Sequence, residues 1–542
     1  MVTTAFIPND VETLRSLVQG RDATIEARDA VLREREITIA QRDSTIDEYA
    51  REIEQLREYV RLLKSQRFGS SSERVHHDQL GLFNEAEQLL DEAGGEIDEE
   101  TVSVPAHTRA KRGRRPLPSW MERVEILHDL PKHEKVCSVD GTPLVEIGRE
   151  TSEQLEFIPA TARVLVHVRP KYACSHCKTG VQIAPLPPQP IPKSLASPSL
   201  LAFVAVSKYA DALPLYRQEG ILARIGVDLS RATLAFWMVR CGDLVQPLIN
   251  LMRERLLDHD FLQCDETPFQ VLNEPGKSAE SKSYLWVQRG TPDDHPLILY
   301  EYDPSRSGEV SERLFEGFQG IAQTDGYAGY GHLDGAPGIV HVGCFAHARR
   351  KFTDALKGAG KNRKKNATPS AKQSVAEAGL RFIQDLYKIE RSLEDASVEE
   401  RLRVRQEKSV PIVAKLRVWL DASRPTVPPK SLTGIALGYL DGQWKKLAAI
   451  FEYGHVPLDT NLVENAIRPF AVGRKNWMFA DTVRGAKASA NLYSLIETAK
   501  ANEIEPWAYL HRVFRDLPAA VTLEDVEALL PSRVRVRKDA VS

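Results

Sequence analysis

Three carboxylates stand out for the residues around them. Asp265 closes the apolar run Phe261-Leu-Gln-Cys-Asp265, and Asp325 closes Ile321-Ala-Gln-Thr-Asp325 just before Gly326. An acid at the end of an apolar strand is costly to bury without a cation or a donor. Two such acids on neighbouring strands would converge on divalent metal, and Gly326 would let the backbone turn sharply beside the second. Glu464 is the third, in Thr460-Asn-Leu-Val-Glu464-Asn-Ala-Ile-Arg468. On a helix, Asn461, Glu464, Asn465 and Arg468 share one face. That face either points into a metal site or is solvated. Together the acids predict two Mg2+ (or Mn2+) ions about 4 Å apart, clamping the attacking and leaving oxygens of an in-line phosphoryl displacement. Hard carboxylate oxygens suit these ions better than Zn2+. Arg468, Arg474 and Lys475 supply cations for backbone phosphates, and Trp477 a ring for an unstacked base. Trp477 reads equally well as a core aromatic.

A second constellation has softer ligands. Cys174-x-x-Cys177 is half of a zinc knuckle, and Cys137-Ser-Val-Asp140 lies upstream. Asp140 stands where a four-thiolate site would want cysteine. It can ligate through oxygen, and His133 or His176 could also complete a tetrahedron. Zinc would replace the core that so small a module cannot build. The alternative is a degenerate module held by strand pairing, with idle thiols.

The elements that must position these groups fall into segments. Residues 10–66 carry apolar residues every seven positions, from Val11 through Val18, Ile25, Leu32, Ile39, Ile46 and Ile53 to Val60. That period predicts a left-handed coiled coil for oligomerisation. Arg21, Arg28, Arg35 and Arg42 weaken its second seam, and an amphipathic helix lying on its own protein is the other reading. Residues 67–129 form a linker, first acidic and then basic. Arg109, Lys111, Arg112, Arg114 and Arg115 within it read as an arm tracking DNA phosphates, or as a solubilising stretch. Residues 130–183 form the β-rich, zinc-finger-like module, with Val164, Val166 and Val168 alternating as in a strand. A proline-rich stretch then marks a domain edge.

Residues 199–255 are helical. A helix over Pro214–Arg224, a turn at Ile225-Gly226-Val227 and a Ser230-capped helix opening with Arg231 make a helix-turn-helix that reads DNA, or an ordinary helical hairpin. Strands are expected at Phe261–Asp265, Ser283–Gln288, Pro296–Tyr302, Gly320–Asp325 and Gly338–Gly343, with helices over Gly308–Phe318 and from Phe345. The pattern predicts a mixed α/β core in residues 256–350. A mainly helical insertion follows over 351–455, beginning with a mobile Lys-rich loop at Lys357–Lys372. The third-acid helix lies in 456–483, and C-terminal helices with a basic tail fill 484–542.

At about 150 residues per domain, 542 residues imply three or four domains. Lys plus Arg total 72 against 75 Asp plus Glu, so any DNA-binding surface must come from local clustering. Six cysteines are too few for a disulfide scaffold, and no apolar run spans a bilayer. The chain reads as cytoplasmic, nucleoid-associated when bound to DNA, with no membrane partner.

These motifs resemble bacterial DDE transposases of the insertion-sequence-66 family. The resemblance runs over nearly the whole chain. It rests on the zipper-like start, Arg67-Phe-Gly-Ser-Ser-Ser-Glu-Arg74, the zinc-finger segment, Asp325-Gly-Tyr-Ala-Gly-Tyr330, Gly343-Cys-Phe-Ala-His-Ala-Arg-Arg-Lys-Phe352, Asn461-x-x-Glu464-Asn-x-x-Arg468 and Ala488–Lys500. It implies a ribonuclease H-like catalytic core with Asp265, Asp325 and Glu464 as the acidic triad. The 139-residue gap between the second and third acids points to the helical insertion. Cys344-x-x-His347 matches a family feature in which His347 braces the active site, and the pair is not read as a zinc site. The departure is Asp140, which puts zinc stoichiometry in question and leaves catalysis untouched.

The expected function is transposition. The protein would bind terminal inverted repeats through the zinc module, helix-turn-helix and arm, cleave with metal-activated water, and join the freed 3′-hydroxyl to target DNA. The coiled coil would pair protomers, and accessory proteins could take part. The alternatives are a DNA-binding regulator with a dead catalytic fold, and a nuclease or resolvase that cuts without joining.

Overall fold

A computed structural model of the protein describes residues 11–68, 162–172, 182–357 and 374–534. Cys137, Asp140, Cys174, Cys177, His133 and His176 fall outside those residues. So do Arg112, Arg114, Arg115 and all but the first residue of the Lys-rich loop. Helix α1 (Val11–Phe68) is one uninterrupted element. Its seven-residue stripe is turned to solvent, with Val11, Val18, Ile25, Leu32, Ile39, Ile46 and Ile53 all about half exposed or more. The strand expected at Val164–Val168 is absent. These valines are exposed, and among the described residues no neighbouring strand takes up their backbone. Pairing begins only at Lys171–Tyr172, antiparallel to Gln182–Ile183.

Four helices follow. In α2 (Pro198–Tyr209), Ser197 caps the N-terminus by accepting from the Leu200 N–H, and Pro198 takes the first turn, where its missing N–H costs nothing. Next come α3 (Leu215–Arg224), α4 (Arg231–Leu244) and α5 (Gln246–Leu257). The α3–α4 turn uses Gly226 at φ +82°, and Ser230 caps α4 as expected. The first half of α4 exposes Arg231, Ala232, Ala235 and Phe236, while Leu234, Trp237, Met238 and Cys241 are buried.

The sheet is mixed. Strands β1 (Phe261–Asn273), β2 (Lys282–Gly290) and β3 (Leu297–Asp303) form an antiparallel meander. Helix α6 (Gly308–Leu314) leads to β4 (Gly320–Gln323), parallel to β1, and then β5 (Ile339–Val342), parallel to β4. The order is β3-β2-β1-β4-β5. Two sequence expectations are corrected. Asp265 lies inside β1 rather than at its end, because the strand continues through Pro268. Asp325 lies two residues beyond β4 rather than within it. The cause is one feature. Strands β1 and β4 pair only over Phe261–Gln263, and parallel pairing of β1 resumes only at Val271, so between these points one edge of β1 is open. Proline is tolerated on such an edge, where no ladder donor is required.

Beyond β5, α7 (Phe345–Lys357) packs with α8 (Val375–Arg391), α9 (Val398–Val404), α10 (Val410–Ser423), α11 (Leu432–Gly442) and α12 (Trp444–Ala449) around a core of their own. This is the expected helical insertion. The chain then returns through α13 (Asn461–Trp477), β6 (Ala480–Thr482, parallel to the end of β1), α14 (Val483–Ala501), α15 (Pro506–Asp516) and α16 (Leu523–Glu527). The first core joins the sheet to α2–α5 and α13–α15. The open edge of β1 therefore lies at the seam of two cores.

Helices α4 and α14 cross with almost no space between them. A Cβ on Gly242 would sit 2.4 Å from the Cβ of Ala488. In a free helix Gly→Ala gains about 1 kcal/mol, whereas overpacking costs about 1–3 kcal/mol. Gly242→Ala is therefore expected to lower Tm by a few degrees. A higher Tm would show that these helices separate at no cost.

Candidate active site

Side chains alternate along a strand. Gln263, Asp265 and Phe269 of β1 share the face toward α13, where Phe269 meets Phe470 edge-on at 5.0 Å. That packing carries Glu464, in the first turn of α13 and only 6% exposed, to the same place as Asp265. Asp325 arrives from the end of β4. The three carboxylates are close enough to repel. Asp265 is held well above the usual carboxylate range, by burial first and then by Glu266, Asp325 and Glu464. Burial also pushes Glu464 up, with Asp459 and Asp325 adding to the shift while Arg350 and Thr460 oppose it. On that face of α13 Glu464 is withdrawn from solvent, Asn461 and Arg468 are half-buried, and Asn465 is exposed.

Each acid is oriented. Asp265 Oδ1 accepts from the Glu266 N–H at 2.8 Å, and Asp325 Oδ1 from the Tyr327 N–H at 2.8 Å. Glu464 Oε1 accepts from the Thr460 hydroxyl at 3.0 Å. On α7, Arg350 Nη2 lies 3.6 Å and His347 Nδ1 3.8 Å from the Glu464 carboxylate.

The surrounding shell ties the two cores together. Gln263 and Gln323 face each other across β1 and β4 and are hydrogen bonded at 2.7 Å. Gln263 also donates to the Asp459 carbonyl, and Gln323 to those of Gly343 and Pro457. The segment leading into α13 is thereby fixed to the sheet. Thr324, just before Asp325, meets His341 Nε2 at 2.8 Å, and His341 Nδ1 meets Asp334 at 2.7 Å. Burial pulls the His341 pKa down to about 4, so the ring is neutral at pH 7. Gly326 is required by close approach, since a Cβ there would fall 2.7 Å from the Tyr439 ring.

Cys344 and His347 both reach this shell. The buried Cys344 thiol accepts from the Thr460 N–H at 3.4 Å and its hydroxyl at 3.3 Å. Burial pushes its pKa well up, so it stays a thiol. Donor atoms of Cys344, His347 and Glu464 lie within 4.8 Å of one another, and they are the one such His/Cys/acid group among the described residues. Through Thr460 and Glu464 these two side chains tie α7 to the start of α13.

The remaining cations divide. Arg231 is exposed at the start of α4, Lys475 is exposed, and Arg468 is half-buried beyond Glu464. Arg474 instead turns inward and donates to the Pro268 carbonyl on the open edge of β1. Burial lowers its pKa. Trp477 is also turned inward. Its ring meets Phe269 at 5.7 Å and Phe470 at 5.3 Å, with Lys208 over it at 5.1 Å. The aromatic residues of the core claim that ring, so it is not held out to stack on a base. Of the two readings of Trp477 the packing therefore matches the core aromatic, and Arg474 is engaged with β1.

Sequence reasoning missed Glu266. It points to the face opposite Asp265, is 7% exposed, and accepts from Tyr330 at 2.6 Å and from Arg306 at 2.6 Å. Burial and Asp325 raise its pKa to about 7 against the pull of Arg306 and Tyr330. The one sequence signal was a second acid beside Asp265 in an apolar strand, and its partners come from distant loops.

Four family descriptions match the chain. Transposase IS66 family covers residues 193–488. The zinc-finger binding domain of transposase IS66 covers 134–178, Transposase C of IS166 homeodomain 55–126, and the IS66 C-terminal element 494–532. Among curated proteins, the uncharacterized protein y4qI of Sinorhizobium fredii is 32% identical over 88% of both chains. The uncharacterized protein y4jD of the same organism is 32% identical over 79% of this chain and 83% of its own.

Proposed function

The chain belongs to the IS66 family of transposases, which bind DNA, and from that membership we propose that it cuts and joins DNA strands at Asp265, Asp325 and Glu464. The observation that carries this reading is the convergence of three acids, from β1, the end of β4 and α13, into one cluster, with Glu464 buried and the other two half-buried, where Asp325 and Glu464 raise the Asp265 pKa and Asp325 raises that of Glu464. Such a cluster is costly alone and favourable around a cation. Its donors are hard oxygens, which fit Mg2+ or Mn2+. Bound there, the ions neutralise charge on the attacking and leaving oxygens of a phosphoryl displacement.

The chain's own residues do the positioning. Thr460 and Arg350 hold the Glu464 carboxylate, and the Tyr327 N–H holds Asp325. His347 and Cys344 brace the start of α13. In cleavage, a water oxygen bonds to phosphorus at the element end and the bond to the 3′-oxygen breaks, leaving a 3′-hydroxyl. In joining, that hydroxyl bonds to a target phosphorus and displaces the target's own 3′-oxygen. The sheet order, with an antiparallel meander and two parallel strands, supports a ribonuclease H-like core.

The exposed first half of α4, with Arg231 and Phe236, supports a DNA-reading helix-turn-helix that recognises the terminal repeats. Arg468 and Lys475 serve phosphates. The solvent-facing heptad stripe of α1 supports pairing with a second copy, since Val11, Val18, Ile25, Leu32, Ile39, Ile46 and Ile53 are each about half exposed or more. Zinc would be held by Cys137, Asp140, Cys174 and Cys177. Among the described residues no helix is long and apolar enough to cross a membrane, and a cytoplasmic, nucleoid-associated protein fits the reading.

The test uses a duplex ending at the element's terminus with a free 3′-hydroxyl, a target plasmid and Mg2+. Joined product is expected. Cutting of intact ends without joining would favour a nuclease, and binding without either reaction a regulator.

A further inference from the structure

Arg306 lies on the β3–α6 loop, outside every motif singled out in the sequence. Its Nε and Nη2 sit 2.6 and 2.5 Å from the same oxygen of buried Glu266. Its guanidinium stacks on the Tyr327 ring at 3.9 Å, and the Tyr327 hydroxyl donates back to the Arg306 carbonyl. The loop is pinned as well, since Asp303 accepts from the Ser305 N–H and the Ser305 hydroxyl from the Ser307 N–H. An ion pair serving stability alone would bury the cation together with the acid. Here Glu266 is 1% exposed at its side chain and Arg306 39%. Nη1 has no hydrogen-bond partner among the described residues. Tyr327 lies two residues past Asp325, so this open edge of the fork flanks the acid cluster.

We propose that Arg306 grips a backbone phosphate of the DNA strand entering the acid cluster, with Glu266 and Tyr327 as its positioning residues. The inference rests on the strand-cutting reading above and names a contact that reading lacks. A phosphodiester approaching three carboxylates is repelled, and a cation at the rim offsets this. Arg suits the task because the planar fork can spend one edge on Glu266 and offer the other to phosphate oxygens. Ordering a long side chain usually costs entropy on binding. Here Glu266 and the Tyr327 ring hold the guanidinium before DNA arrives. The Asp325 charge also acts on Arg306 and helps keep it protonated.

The experiment compares the full-length wild type with Arg306→Gln and Arg306→Lys on a short duplex ending at the element's terminus. Single phosphates near the cleavage point are replaced in turn by uncharged methylphosphonates. Wild type is expected to lose affinity at one position, and Arg306→Gln to be insensitive there while keeping the remaining pattern. Its binding should weaken by up to about tenfold, and the slope of log K against log salt should fall by about 0.9. Arg306→Lys should restore the slope but only part of the affinity. Should Arg306→Gln fail to fold, the Glu266→Gln/Arg306→Gln variant removes both charges and replaces it. An unchanged methylphosphonate pattern in the variant that folds overturns the contact and leaves strand cutting standing. A wild type that shows the sensitive position yet never cuts keeps the contact and overturns strand cutting. A wild type that does not bind the duplex overturns both.

Discussion

Asp265→Asn and Glu464→Gln are expected to abolish strand cutting and at the same time to make the metal-free protein more stable. The loss should be at least about a thousandfold, or about 4 kcal/mol of barrier. The gain in stability follows from the pKa shifts. Both folded-state pKa values lie above their ordinary carboxylate values. For such a group the folded state prefers the protonated form. Its contribution to stability is complete below the unfolded pKa, about 4, and is lost as pH rises through the folded pKa. At neutral pH without metal, keeping these carboxyls in the fold therefore costs stability, and the amides remove that cost. Tm should rise by a few degrees in chelator at pH 7, on the scale of about 2–4 °C per kcal/mol, and the difference should vanish near pH 4. Mg2+ should raise the wild-type Tm and leave the variants' unchanged, as expected for a ligand of the folded state. Scanning calorimetry with and without chelator measures all of this. A lower Tm in both variants would mean that the acids hold the fold together rather than await a cation.

Arg405→Ala should be among the most destabilising single substitutions. Arg405 opens a π-helical turn, Arg405–Ser409, between α9 and α10, and is fully buried. Its Nε and Nη2 form a fork on Glu390 at 2.8 and 2.7 Å, and Nη1 donates to the Tyr453 carbonyl. Removing the cation leaves a largely buried carboxylate and a bare carbonyl. The expected cost is about 3–5 kcal/mol, or a fall in Tm of roughly 10 °C. Pairing Arg405→Met with Glu390→Leu should recover most of it, because both charges then leave together. Thermal denaturation of the three variants decides. A small loss in the single variant would mean that water reaches Glu390. The insertion carries Tyr439 and packs against α7, which carries His347 and Arg350, so its unfolding should also cost activity.

The three acids that the structure brings together were legible because acids are rare in apolar runs and each sat beside a local signal: Gly326, the polar face of α13, or a strand pattern. The N-cap Ser230 and the seven-residue stripe of α1 were legible for the same reason, since local chemistry sets them. The length of β1 was not. Pro268 reads as a breaker, and only the divergence of β4 after Gln263 shows why it is tolerated. Trp477 could be read as a base contact or a core aromatic and Arg474 as a phosphate contact, because their place depends on Phe269, Phe470 and the Pro268 carbonyl, all distant in sequence. Glu266 and Arg306 were invisible for the same reason: a buried acid is recognised only with its cation, and 40 residues separate this pair.

The central claim is that Asp265, Asp325 and Glu464 form one divalent-cation site. Titration of purified full-length protein with Mn2+, followed by the electron paramagnetic resonance of the free ion, tests it most directly. Wild type should bind Mn2+ saturably, Mg2+ should compete, and Asp265→Asn or Asp325→Asn should weaken binding at least about tenfold, roughly 1.4 kcal/mol. Binding of equal strength in wild type and both variants would contradict the account.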